Sequence, residues 1–136
     1  MGLSRNSDLF RAGVDLHGVH DWWPEERMWD PSLGSNAPDL DQAQKLAWES
    51  FPNAMIDKWT SPVLLIQGDD DRNVPFTQTV DLAQQLRDHH IPFEYLVFPD
   101  EIHDFLKWSS WIHAYSAGAD FFNRVLIKGE KIGVPD

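Results

Sequence analysis

The stretch Ser61-Pro62-Val63-Leu64-Leu65-Ile66-Gln67-Gly68-Asp69-Asp70-Asp71-Arg72-Asn73-Val74-Pro75-Phe76 decides the fold of this chain. Val63 to Ile66 is a continuous apolar run, the pattern of a strand buried on both faces, and Gly68 ends it. Thr77 to His89 then read as a helix, with Val80, Leu82, Ala83 and Leu86 as its apolar members and Thr77 as a possible cap, until Ile91-Pro92 breaks it. Phe93 to Phe98 form a second strand, closed by Pro99-Asp100, and a last helix covers Trp108 to Val125. Parallel neighbours need a crossover of about a dozen residues or more, and this strand-helix-strand-helix order supplies one. The expected fold class is therefore α/β, with a parallel sheet and helices on its faces.

Upstream, Ala12 to Val19 is a short run bounded by glycines that reads as a further strand, weakened by Asp15 and His17. Residues 20–38 carry Pro24, Pro31, Gly34 and Pro38 among Trp22, Trp23 and Trp29, which is turn chemistry decorated with large apolar side chains. Leu40 to Phe51 reads as a helix with Asp39 as N-cap, with Leu40, Ala43, Ala47 and Phe51 near one face and Pro52 as its stop. Downstream, Lys128 to Asp136 reads as a frayed tail. No internal repeat, low-complexity tract or interdomain linker interrupts the chain.

The 136 residues suit one domain or a piece of one, and 42% hydrophobic and 12% aromatic content requires a packed core rather than a disordered chain. Eleven basic against 22 acidic residues leave a net charge of -11, which repels a phosphate backbone and an anionic membrane, so neither nucleic acid nor membrane is an expected partner. No apolar run approaches the roughly 20 residues needed to span a bilayer, and the N-terminal residues do not open a signal peptide; a soluble protein is expected. The absence of cysteine rules out disulfides and thiolate chemistry but fits either redox compartment, which leaves localisation open.

In open parallel sheets, ligands and reacting groups collect at the carboxyl ends of the strands. Two loops occupy such positions here, Gly68 to Pro75 after one strand and Pro99 to Asp104 after the next. If the two strands are neighbours, a carboxylate from the first loop reaches His103 in the second. That pairing would make two-thirds of a Ser-His-Asp triad, in which a buried carboxylate fixes the imidazole tautomer while Nε2 takes a proton from a serine. On the residues alone, Asp71 is read more readily as a solvated acidic turn residue.

The string Ser61 to Phe76, followed by Phe98-Pro99-Asp100-Glu101-Ile102-His103, resembles the C-terminal end of the catalytic domain of the prolyl oligopeptidase family, the S9 serine peptidases. The similarity reaches Arg5-Asn6-Ser7-Asp8-Leu9-Phe10-Arg11-Ala12-Gly13-Val14 and so covers nearly the whole chain. It implies the C-terminal portion of an α/β-hydrolase fold, with about three mainly parallel strands and flanking helices. It also implies that residues 1–136 form a partial catalytic domain. By the same resemblance the triad aspartate is Asp71 and the triad histidine His103, no cofactor is needed, and the intact enzyme takes a peptide substrate. The segment holding Trp22 and Trp23 would help line the pocket for the substrate residue before the scissile bond, although simple packing accounts for both tryptophans equally well.

The family serine lies in a G-x-S-x-G elbow upstream of the matched region, and no serine here fits that pattern. Ser4 lacks the second glycine, and Ser116 follows the histidine and sits inside an expected helix. Met1 to Asp8 is therefore expected to be the helix after the elbow. The chain would then supply Asp71 and His103 but not the serine. The alternatives are an inactive remnant or interaction subunit, which could self-associate or pack against the absent half, and an esterase-type acyl hydrolase. Asp69, Asp70, Asp71 and Asn73 imitate the start of a calcium loop, but Val74 stands where a glycine is required and Val80 where the closing Glu belongs. His17 with His20, and His89 with His90, are read as ordinary polar or core histidines rather than a metal site.

Overall fold

The computed structural model describes residues 1–21 and 38–135. Three strands form one parallel sheet in the order β1 (Gly13–Leu16), β2 (Val63–Gly68), β3 (Phe93–Phe98). Gly13 lies opposite Val63, and the β2–β3 pairing runs from Val63 opposite Phe93 to Gly68 opposite Phe98. The helices are α1 (Gly2–Asn6), α2 (Leu40–Glu49), α3 (Thr77–Asp88) and α4 (Trp108–Phe122). A 3-10 segment spans Pro52–Lys58, and a π-turn, Asn123–Ile127, extends α4.

All six residues of β2 are buried, as expected of the central strand of a sheet covered on both faces. Their alternation divides the core into two layers. Val63 and Leu65 pack with Phe93, Ile56, Trp59, Leu82, Leu86 and Ile91 under α3 and the 3-10 segment. Leu64 and Ile66 face the other way, into Phe98, Phe105, Ala114 and Phe121 under α4.

Several expectations change in detail. The first strand stops at Leu16 rather than Val19, because His17 turns out of the strand at φ 42° while its N–H still donates to the Ile66 carbonyl at 2.7 Å. The helix expected to Phe51 ends at Glu49, and the chain re-enters a separate 3-10 turn at Pro52. Phe76, not Thr77, is the N-cap of α3, and neither it nor Asp39 caps its helix through a side chain. The C-terminal tail is docked rather than frayed. The Phe93 N–H donates to the Gly133 carbonyl at 3.1 Å, Arg87 Nε donates to the Pro135 carbonyl at 3.1 Å, and Val134 packs against the first core layer. Gly and Lys in the tail carry no periodic signal, and its order comes from β3 and α3, which offer it a donor and an apolar seat.

Candidate active site

The chain leaves β2 at Gly68 and β3 at Phe98 on the same edge of the sheet, and the two loops interlock there. The Asp70 N–H donates to the Glu101 carbonyl at 3.2 Å, and the Asp100 N–H, in a turn where φ is 60°, donates to Asp69 Oδ1 at 2.7 Å. A Cβ on Gly68 would stand 2.1 Å from the Glu101 carbonyl oxygen, so the close approach of the loops depends on glycine at this position.

This contact brings His103 to Asp71. His103 Nδ1 donates to Asp71 Oδ2 at 2.8 Å, with the aspartate side chain fully buried and the imidazole a quarter exposed. The other carboxylate oxygen accepts the N–H groups of Asn73 and Val74 at 3.0 and 2.9 Å. Gln67 Nε2 donates to Oδ2 at 3.1 Å. Burial alone would push the Asp71 carboxyl up, but the donors from Val74, His103 and Gln67 outweigh it and hold the carboxyl below the usual aspartate range. Asp71 is thus an ionised, four-donor carboxylate aimed at one nitrogen of an imidazole that is a quarter exposed. That geometry fixes the proton on Nδ1 and leaves the Nε2 lone pair free to accept a proton.

Three residues of the site escaped sequence reasoning. Gln67 is fully buried on β2, where its amide donates to Asp71 and to the Val74 carbonyl at 2.7 Å while its oxygen accepts from Thr79 Oγ1 at 2.5 Å. The signal was a lone polar residue at the end of an otherwise apolar strand. Glu101, also buried, accepts from Ser110 Oγ at 2.5 Å and from the Leu106 and Lys107 N–H groups at 2.6 and 3.3 Å. The Ser110 hydroxyl foremost, and then those two N–H groups, hold its carboxyl below the usual range against the cost of burial. Glu101 therefore ties the His103 loop to the start of α4. The third is His17, whose ring centroid lies 4.0 Å from that of His103.

The remaining candidates do not join this pair. Trp22 and Trp23 lie outside the described residues. Ser4 is buried with its hydroxyl donating to the Met1 carbonyl at 3.1 Å, and Ser116 stands exposed on α4 beside Trp108 and Tyr115. Asp69 and Asp70 are engaged with the Asp100 N–H and Arg72, away from Asp71's partners, and among the described residues no cluster of three or more His, Asp or Glu is placed to hold a metal. His20 is buried, donating from Nδ1 to the Gln78 carbonyl at 3.1 Å and pairing through Nε2 with Asp15, which clasps the end of β1 to α3. No helix of the described residues is long and apolar enough to cross a membrane.

Comparison with known proteins converges on one group. The family model described as "Prolyl oligopeptidase family" matches residues 1–129. Dipeptidyl aminopeptidase BIII of Pseudoxanthomonas mexicana is 28% identical over 122 residues, which is 78% of this chain and 17% of that protein. Dipeptidyl peptidase family member 6 of Caenorhabditis elegans is 33% identical over 118 residues, 79% of this chain and 16% of that protein. The chain thus spans about a sixth of the length of these curated relatives. The structure of a puromycin-hydrolyzing peptidase from Mycobacterium tuberculosis superposes with a TM-score of 0.73 at 26% identity, over 92% of this chain and 20% of the other. The architecture is that of part of an α/β-hydrolase domain, a three-stranded parallel sheet flanked by helices.

Proposed function

The chain belongs to the prolyl oligopeptidase family, and from that premise we propose that it carries the acid-base half of a serine peptidase site. Asp71 is the orienting carboxylate and His103 the general base and acid. The observation that carries this reading is the 2.8 Å hydrogen bond between His103 Nδ1 and the buried Asp71 carboxylate, at the carboxyl ends of two adjacent parallel strands. In the proposed reaction His103 Nε2 takes the proton from a serine hydroxyl as its oxygen attacks the carbonyl carbon. It then returns that proton to the departing amine, while Asp71 stabilises the intervening imidazolium.

No G-x-S-x-G surrounds any serine of the sequence, and no described serine is hydrogen-bonded to the His103 ring. We therefore assign the nucleophile to residues other than those of this chain. The names of the relatives, dipeptidyl aminopeptidase and dipeptidyl peptidase, support a short peptide as the substrate of the assembled enzyme. Treatment of the purified 136-residue chain with a fluorophosphonate probe tests the assignment. No covalent label is expected, since both the serine and the donors for the oxyanion are supplied elsewhere. Labelling of one serine per chain would overturn it.

A further inference from the structure

We propose that His17 is a positioning residue for His103, its imidazole forming the side wall that keeps the His103 ring turned toward Asp71. The inference rests on the acid-base reading of the site and extends it to a residue on a different strand.

His17 is the first residue beyond β1, and its backbone is fixed in two ways. Its N–H donates to the Ile66 carbonyl at 2.7 Å, and its φ of 42° lies in the left-handed region, where a non-glycine residue is uncommon. At Gly18 the Asp15 carboxylate and the His20 ring fill the space a Cβ would take, at 2.2 Å from Asp15 Oδ1 and 2.9 Å from His20 Nε2. The side chain is thereby aimed across the strand ends. Its ring lies 4.0 Å from His103, tilted by 58°, and presents a T-shaped contact to Phe105 at 6.2 Å. Phe105 is buried and is itself braced by Phe98 at 4.8 Å and Trp111 at 5.0 Å. A chain of rings thus runs from the core under α4, through Phe105 and His17, to His103.

Among the described residues His103 makes one hydrogen bond from its ring, to Asp71. A single bond leaves the ring free to swing about that axis unless a neighbour blocks it, and His17 is the described ring in contact with it. A wall of this kind must stay uncharged to avoid opposing an imidazolium on His103. Burial, and then the neighbouring His103, push the His17 imidazole down from its ordinary value, outweighing the carboxylates of Asp71, Asp104 and Asp15 that face it. Its Nε2 is buried with no hydrogen-bond partner among the described residues, as suits a ring used for its face rather than for a proton.

The test uses the 136-residue chain with ring-selective nitrogen labelling, reading the solvent-exchange rate of the His103 Nδ1 proton. His17→Asn removes the ring, and asparagine tolerates the left-handed backbone. His17→Phe restores a ring without a titrating nitrogen. Loss of a ring contact should speed exchange of the His103 proton by about 3- to 10-fold in H17N, with the remaining amide spectrum unchanged, and H17F should recover most of the protection. Unchanged exchange in a folded H17N protein would overturn the proposal, whatever H17F does. A wild-type chain that shows no protected Nδ1 proton, or one unaffected by D71N, would instead overturn the acid-base reading on which it rests.

Discussion

Asp71 is buried in a nest of four donors, and its ionised form is the one those donors are built for. Asp71→Asn keeps the shape but turns an amide NH2 toward Gln67 Nε2 and His103 Nδ1, so Gln67 loses its acceptor and His103 keeps a partner only by giving up its Nδ1 proton. A cost of about 1–3 kcal/mol is expected, read as a lower midpoint in thermal or urea unfolding. The folded carboxyl titrates below its ordinary value, so the unfolded chain binds the proton more tightly. The stability contributed is present above the ordinary aspartate range near pH ~4 and lost as the pH falls through the lower folded value. The stability gap between wild type and D71N should therefore narrow as the pH falls below the ordinary aspartate range and on through the lower folded value. A gap independent of pH would show that the carboxylate is not the stabilised species. His17 acts in a higher window: its folded imidazole resists protonation, so stability should decline as the pH drops below about 6.5, and H17N should flatten that part of the profile.

At the scale of elements, the β2–α3–β3 unit carries both loops, and Gly68 and Glu101 are the points where they meet and where α4 is attached. Gly68→Ala would drive a methyl group into the Glu101 backbone, which cannot move without dragging His103. A destabilisation of about 1–3 kcal/mol is expected, together with altered His103 resonances; a G68A chain as stable as wild type would contradict the interlock. Glu101→Gln should lower the melting temperature by weakening the start of α4, because an amide supplies only one acceptor oxygen where the carboxylate uses two. β2, β3 and α3 were legible because an apolar run, a breaker at each end and a helical period all agreed. The end of β1 was not, since the left-handed turn at His17 depends on a bond to Ile66 in another strand. The contact between Asp71 and His103 was legible through the spacing of the two loops and the family resemblance. Gln67, Glu101 and His17 were not, because their roles arise from partners 4 to 86 positions away that only the packed sheet assembles.

At the scale of the whole molecule, the β1 edge of the sheet is open among the described residues. β1 has β2 on one side and no described strand on the other. Beside it an apolar hollow of about 390 Å³ opens between Val14, Leu16 and Ile66 of the sheet and Ala114, Gly118 and Phe122 of α4. Along α4 the side chains of Trp108, Ile112 and Tyr115 are 76%, 52% and 66% exposed, an apolar surface that a closed domain of this size would cover. The isolated chain is expected to bind a hydrophobic dye such as ANS and to sediment as associated species as its concentration rises. A compact monomer with no dye binding would mean that this surface is satisfied within the chain. The organisation that matters most is the convergence of the two strand ends on one Asp-His pair, and the tautomer of His103 reads it directly. With nitrogen-15 shifts recorded on the wild-type chain at about pH 9, above the ordinary histidine range, the proton should reside on Nδ1 with Nε2 bare. In D71N it should move to Nε2. A His103 ring that exchanges between both tautomers in the wild type, and does so unchanged in D71N, would contradict the account.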